Sequence, residues 1–406
     1  MKSFADVQAL YDSWLYPCHV VDLEAGVANG LAHPTSPHVA FSLLFPDKKP
    51  SKLRILDAGC GSLQAALLAY LNPDCEVLGI DLSTNALQHQ RKLQKKHNLR
   101  NLSLLRCNLL EVGKLGIEFD LIYSTGVLHH LPRPIDGLRA LKQVLRPQGA
   151  MQLMLYGKYV RTGVYMMQEL FRLLDVDHSQ EGVNVVRKTI AALPDKHFVH
   201  AYKAGELIND AAIVDTFLHC IDQAYDVQGV LDLVDEAGMQ FQCWQHNQAY
   251  YPNATLTPAS DLGRRVRALP REQQWCAMEL ISQSHGCHRF VLRHRQLESR
   301  RIHIQFQDDD FLQYIPSLHP AVRHLPAEKP GLHRYHSRQH VLAVPAVVSQ
   351  LLERADGKRS VAEIINGLTT QHQHEHEKLT FCRKMLRELY LTEYLRFATY
   401  GLASSV

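Results

Sequence analysis

Several features are scarce in this 406-residue sequence, and each scarcity excludes something. No run approaches the roughly 18 uninterrupted apolar residues that a membrane-spanning helix requires. The opening MKSFADVQALYDSW has no apolar core after Lys2, so it does not read as a secretion signal. Neither sign of charge prevails. With 44 Lys and Arg against 41 Asp and Glu, the formal net charge is +3, which argues against a nucleic-acid partner. Nine cysteines are scattered without a C-x-x-C pair, so neither a disulfide framework nor a zinc site is expected. An odd, irregular set of thiols suits a reducing compartment, and the expected location is cytoplasmic.

What is present is the balance of a folded chain, 46% apolar and 21% charged, long enough for two or three cores. Residues 1–50 form an aromatic- and proline-rich N-terminal segment that ends in the linker PDKKPSK. An alternation then runs for about a hundred residues. Its strands are LRILDAG, CEVLGIDL, LSLLRCNL, FDLIYSTG and AMQLMLYG. Its helices are SLQAALLAYL, TNALQHQRKLQKKHN and PIDGLRALKQVL. Short strands alternating with helices imply βαβ units and a doubly wound, mostly parallel α/β sheet. Pro147 and Gly149 read as the turn between the last of these helices and its strand.

After Gly157 the strand pattern stops, and apolar residues at helical spacing predict a helical insertion over about 160–225. A helix, VQGVLDLVDEAG, leads into the strand-like MQFQCWQ, and CHRFVLRH is its candidate hairpin partner. That pair would close the sheet with an antiparallel edge. The basic run RHRQLESRR marks a boundary, so residues 51–298 are expected as one domain and 299–406 as a small second one. In the tail, AVPAVVSQLLERADGKRSVAEIINGL reads as helix, Asp-Gly turn, helix. FCRKMLRELYL and YLRFATY then add a helix and a strand, the order of a winged-helix-like α+β module.

The strongest local signal is Asp57-Ala58-Gly59-Cys60-Gly61-Ser62, where a buried strand runs through two glycines into a helix. Glycine suits a sharp turn that a ligand must approach closely, and the helix N-terminus beyond it offers free N–H groups. The second strand ends in Asp81. An acid there is placed to accept the hydroxyls of an adenosine ribose from a ligand lying across the two strand ends. Its bland alternative is a helix cap for Leu82-Ser83-Thr84.

Taken in order, DAGCGS, GIDLS, LLRCNLLEV, FDLIYSTGVLHHLPRP and LRPQGAMQLMLYG resemble the class I methyltransferases that use S-adenosylmethionine (SAM), over about residues 52–158. The resemblance implies a Rossmann-like fold and SAM as cofactor. Asp57, Gly59 and Gly61 would hold the methionine part of SAM, and Asp81 the ribose, with Leu82 beside the adenine. Asn108, next to Leu109, stands where the family usually has an Asp that binds the adenine amino group. Ser124 and Gly126 would line the sulfonium and the acceptor channel. The segment YDSWLYP resembles an N-terminal lid, whose Tyr11 and Tyr16 would either cover the cation or pack a helix.

His129 is a candidate general base and otherwise a loop cap. Tyr156 stands with Tyr159, Arg161 and Tyr165 where an acceptor enters this fold, and is the second candidate catalytic residue. His219, Asp222 and Tyr225, and further on Tyr250 and Tyr251, are candidates for the same mouth. The alternating His372, His374 and His376 read as a solvated segment rather than a metal site. No metal ligand set is identified.

The expected function is methyl transfer from SAM to a nitrogen or oxygen acceptor, either a protein or peptide side chain or a small metabolite. The layout is also similar to bacterial methyltransferases with a C-terminal regulatory-type domain. Two rivals remain. A dinucleotide oxidoreductase shares the turn and the acid, although G-C-G-S-L-Q lacks the third glycine of that motif. A non-catalytic SAM- or DNA-binding regulator is suggested by the tail.

Overall fold

The structure is a computed structural model that describes residues 13–14, 20–32, 36–201, 209–253, 255–257, 259–282, 286–326, 332–337, 340–369 and 374–402. The chain divides into two compact units. The first takes residues 1–38, 52–241 and 279–294, and the second takes 39–51, 242–278 and 295–406.

In the first unit the strands are β1 (Arg54–Ala58), β2 (Glu76–Asp81), β3 (Leu102–Arg106), β4 (Phe119–Thr125), β5 (Leu145–Gly157), the two-residue β6 (Ala224–Tyr225), the start of β7 (Met239–Trp244), whose residues 242–244 fall to the second unit, and β8 (Cys287–His294). The sheet order is β3-β2-β1-β4-β5-β8-β7, with β6 added against β5. β1 pairs parallel with both β2 and β4, through Ile55↔Val77 and Ile55↔Leu121. The strand order therefore reverses beside β1, and the crevice at the C-terminal ends of β1 and β4 is where such sheets take ligands. Ile55, Leu56, Leu121 and Ile122 are fully buried, as a central parallel strand requires.

The helices of this layer are α1 (Gln64–Leu71), α2 (Thr84–Lys96) and α3 (Pro134–Gln143). Ser83 caps α2, its hydroxyl accepting from the Ala86 N–H, which contributes about 1 kcal/mol. Pro134 opens α3 at the one position where its missing N–H costs nothing. The insertion consists of α4 (Thr162–Leu173), α5 (Gln180–Ala192) and α6 (Asp210–Phe217). Its buried face has its own core, including Val164, Phe171, Val186, Ile190 and Phe217. A further helix, α7 (Val227–Glu236), leads into β7 as its periodicity predicts.

Two expectations need correcting. β8 lies between β5 and β7, running antiparallel to β5, and two helices separate β7 from β8 in the chain, so the pair is no simple hairpin. Pro147 and Gly149 lie inside β5, where the register jumps from Phe119↔Leu145 to Leu121↔Ala150. A proline cannot donate to the ladder, and the strand bulges around it.

The second unit contains α8 (Asp261–Ala268) and most of α9 (Arg271–Ser282). Strands β10 (Val322–Leu325), β11 (Leu332–Ser337) and β12 (His340–Pro345) form an antiparallel meander. Helices α10 (Ala346–Arg354), α11 (Val361–Asn366) and α12 (Glu375–Leu391) follow. β13 (Leu395–Ala398) then pairs antiparallel with β9 (Ile315–Leu318). Ser360 and Glu363 form a reciprocal capping box on α11, which explains the sharp start after the Asp356-Gly357 turn. Phe306, Phe311, Tyr314, Leu351, Ile364 and Phe397 belong to a core of its own.

Candidate functional site

β1 delivers the glycine turn to the crevice. Gly59 and Gly61 have φ values of +79° and +53°, a region where a Cβ is strained. A Cβ on Gly59 would lie 2.3 Å from Val127 Cγ2, so the backbone bend also needs bare space. The Gly59 and Cys60 N–H groups both donate to the Ile80 carbonyl at 2.9 and 3.0 Å. From α2, the buried Gln90 donates to the Cys60 and Gly61 carbonyls at 3.1 and 2.7 Å and accepts from Ala66 N at 2.8 Å. This amide bolts the turn to the next helix. Only the packing face of α2 could have pointed to it in the sequence. Cys60 is buried, and desolvation together with Asp81 and Asp57 raises its thiol pKa well above the ordinary range, so it is not a nucleophile.

Asp81 ties the two strand ends together. Its Oδ2 accepts from Gly61 N and its Oδ1 from Ser83 N, each at 2.8 Å. A carboxylate oxygen can accept from more than one donor, so these two bonds do not by themselves exclude a ligand hydroxyl. Asp57 is fully buried at the end of β1, with Oδ1 accepting from Gln64 Nε2 at 3.0 Å. Its Oδ2 has no hydrogen-bond partner among the described residues. Burial first, and then the charge of Asp81, raises its pKa well above the usual carboxylate range. An orphaned buried carboxyl oxygen beside a bare-backbone cradle fits a cationic ligand that approaches the main chain.

Further along the crevice, half-buried Asn108 caps a short 3-10 helix that begins at Leu109, its Oδ1 accepting from Leu110 N at 3.0 Å. One amide-oxygen lone pair stays available for an exocyclic amine. Leu109 is buried, and Leu82 is half-buried with its carbonyl accepting from Arg106 Nε at 3.1 Å. Ser124, at the end of β4, is buried with no partner for its hydroxyl among the described residues. Gly126, at φ +75°, turns the chain after it. Tyr11 and Tyr16 lie outside the described residues.

Beyond β4 and β5 a buried polar cluster assembles around Tyr156. Its hydroxyl donates to Asp215 Oδ2 at 3.1 Å. The Arg161 guanidinium carbon lies 3.6 Å from the centre of its ring. His129 stacks against the same ring with centroids 3.9 Å apart. Arg161 is itself buried and pairs with buried Asp222, Nη2 to Oδ2 3.0 Å. Gln168 Nε2 donates to the same Asp222 oxygen at 3.0 Å, and Arg161 Nε donates to the Tyr165 hydroxyl at 3.1 Å. Neither ring nitrogen of His129 has a hydrogen-bond partner among the described residues. Burial, then His130 and Arg161, push its pKa well below the usual imidazole range, so the ring is neutral.

His130, Asp215 and His219 place three potential metal-ligand atoms within 4.8 Å of one another. His130 Nδ1 donates to the Ile221 carbonyl at 2.7 Å and His219 Nδ1 accepts from Ile221 N at 3.1 Å, so both rings are oriented by the same stretch of backbone. Their Nε2 atoms have no hydrogen-bond partner among the described residues. Asp215 was not legible as part of this site, because nothing in its sequence context separates it from an ordinary helix residue. Tyr159 is exposed, and Tyr225 has its pKa pushed up to about 12 by burial. Tyr250 and Tyr251 belong to the second unit. His374 and His376 start α12 and His372 lies outside the described residues.

Residues 49–195 match the family model described as a methyltransferase domain. This part of the chain carries a methyltransferase domain on a Rossmann-like, mostly parallel sheet. An uncharacterised protein of a Synechococcus strain is 29% identical over 237 residues, 56% of this chain and 57% of that one. A tRNA U34 carboxymethyltransferase of Azotobacter vinelandii is 41% identical over 103 residues, 25% of this chain and 31% of that one. The chain thus spans little more than half of the longest of these curated matches. The structure of PKMT2 from Rickettsia typhi in complex with AdoHcy superimposes with a TM-score of 0.63 at 14% identity, covering 94% of this chain and 77% of that one, a likeness of fold. With the domain identified, the oxidoreductase alternative falls. No helix of the described residues is long and apolar enough to cross a membrane.

Proposed function

We propose that this chain transfers the methyl group of SAM to a nitrogen or oxygen on a protein or peptide side chain. The observation that carries the reading is the pairing of Asp57 and Asp81 across adjacent strand ends. One presents a partnerless buried oxygen, and the other is locked to the glycine turn. Asp57 then takes the ammonium of the methionine part, Gly59 and Gly61 let it approach the backbone, and Asp81 takes the ribose hydroxyls. Leu82, Asn108 and Leu109 border the adenine, and Ser124 lies toward the reacting centre.

SAM supplies a methyl group on a sulfonium, a leaving group already activated, so the protein's work is alignment and exclusion of water. The Tyr156 ring, held between its bond to Asp215 and its contact with Arg161, offers a rigid wall for the acceptor channel. His129, neutral and desolvated, can accept a proton from an acceptor that loses it readily. Its depressed pKa makes it a weak base, which suits an acceptor that needs little activation.

The preference for a protein acceptor rests on the layout of a catalytic domain with a helical insertion and a separate C-terminal unit. The test is incubation of the full chain with methyl-labelled SAM and native cell extract, followed by separation of protein from small molecules. Label in the protein fraction is the expected result. Label confined to small molecules would replace the acceptor class, and no transfer at all with SAM bound would favour a non-catalytic regulator.

A further inference from the structure

The second unit contains a cavity of about 250 Å³ that the methyl-transfer reading does not use. That is the volume of roughly eight water molecules, enough for one aromatic ring with one acidic substituent. Its lining includes Arg271, Arg387, His303, Trp275, Tyr251 and Tyr390, and no Asp or Glu. All of these residues belong to one unit.

The two arginines reach the cavity from exposed positions on their helices, and their charges are not taken up by neighbouring acids as those of several arginines in the unit are. In the same unit Arg265 pairs with Asp261, Arg300 with Glu298, Arg359 with Asp356 and Arg383 with Asp309. Among the described residues, no ion pair or hydrogen bond takes Arg271 or Arg387. Glu388, beside Arg387 in sequence, accepts from Asn253 instead. Arg271 lies over the Trp275 ring at 5.2 Å. Tyr251 meets the same ring edge-on at 6.0 Å, and Trp244 does so at 5.6 Å.

The arginine fields converge on the cavity. Burial raises the Tyr251 pKa, while Arg271 and Arg387 both act to lower it. His303 is pushed down to about 4, by burial first and then by Arg271, so it is a neutral ring at physiological pH. Two unpaired guanidinium groups beside aromatic walls, with no acid to compensate them, are matched by an anion carrying a flat apolar body.

We propose that this cavity is a binding site for a small aromatic acid, its carboxylate or phosphate held by Arg271 and Arg387 and its ring packed against Trp275 and Tyr251. The site is independent of SAM. Two of the chain's three tryptophans, Trp244 and Trp275, line it, so binding is readable in intrinsic fluorescence.

The test titrates the full chain with phenyl phosphate and with benzoate, using inorganic phosphate and benzyl alcohol as the charge-only and ring-only controls. Saturable quenching is expected with at least one of the two aromatic acids, at least tenfold tighter than with either control. The Arg271→Gln/Arg387→Gln double variant should lose that affinity at least tenfold while its urea-unfolding midpoint and its tryptophan emission without ligand, which report the packing of the second unit, are unchanged. Binding of an aromatic acid no tighter than inorganic phosphate, or equal in the folded double variant, would overturn the assignment. If the double variant does not fold, Arg387→Gln alone, on the exposed face of α12, serves the same comparison against the same criterion.

Discussion

Gly61 donates its backbone N–H to Asp81 at 2.8 Å, joining the turn after β1 to the acid that ends β2. The bond makes the cradle and the carboxylate one rigid object. It also explains why Ser83, not Asp81, caps the following helix: the Asp81 side chain is turned back toward the glycines while the Ser83 hydroxyl takes the Ala86 N–H.

Gly59→Ala should cost both folding and ligand binding. The new Cβ meets Val127 at 2.3 Å, and the φ of +79° strains any L side chain there. We expect about 1–3 kcal/mol of destabilisation. Adding Val127→Ala removes the clash but not the strain, so only part of the loss should return in urea unfolding. Full recovery would mean that the dihedral angle is unimportant.

Asp57→Asn should separate stability from binding. Burial and Asp81 raise the folded-state pKa of Asp57, so the folded protein holds that proton more tightly than the unfolded chain. Its contribution to stability is complete below the ordinary carboxylate pKa and is lost as pH rises through the raised value. In SAM-free protein at pH 8, Asn should therefore match or exceed the wild type by about 1 kcal/mol, a gap that narrows toward pH 5. SAM affinity should fall at least tenfold. Thermal melts across pH with and without SAM measure both, and a variant less stable than wild type at pH 8 would contradict the account.

The fold was legible because its information is local. Ile55 and Leu121 sit in short apolar runs, Gly59 and Asp81 follow strand ends, and Pro134 opens a helix. The placement of β8 between β5 and β7 was not, because strand order across an edge depends on packing between distant segments. The tail's three helices and last strand could be read from periodicity, whereas the short strands β9–β12 have no clean alternation. The Tyr156 cluster combines both cases: Tyr156 and His129 stand out near their motifs, while the link from Tyr156 to Asp215 spans 59 residues.

The buried Arg161–Asp222 pair gives a sharper test of that cluster. Removing one partner strands a charge, so Arg161→Met or Asp222→Leu alone should destabilise by about 3–5 kcal/mol. The double variant should lose clearly less than the sum of the two singles. Urea denaturation of the four proteins supplies the cycle, and simple additivity would show the two side chains to be energetically independent.

Gln90→Ala should loosen the glycine turn from behind. It removes a donor from the Gly61 carbonyl and the acceptor of Ala66 N, at about 1–3 kcal/mol for each group left unsatisfied, while the Cys60 carbonyl keeps the Gln64 N–H at 3.3 Å. A rise in the SAM dissociation constant of tenfold or more is expected even where Gly59, Gly61 and Asp81 are untouched. An unchanged constant would mean that the turn holds its shape without the amide.

Calorimetric titration of wild type and Asp81→Ala with SAM, side by side, reaches the account most directly. Wild type should saturate with one equivalent, and the variant should give no measurable binding while its far-UV circular dichroism stays native. Comparable affinity in the folded variant would remove the carboxylate from the ligand's reach and the proposed cofactor geometry with it.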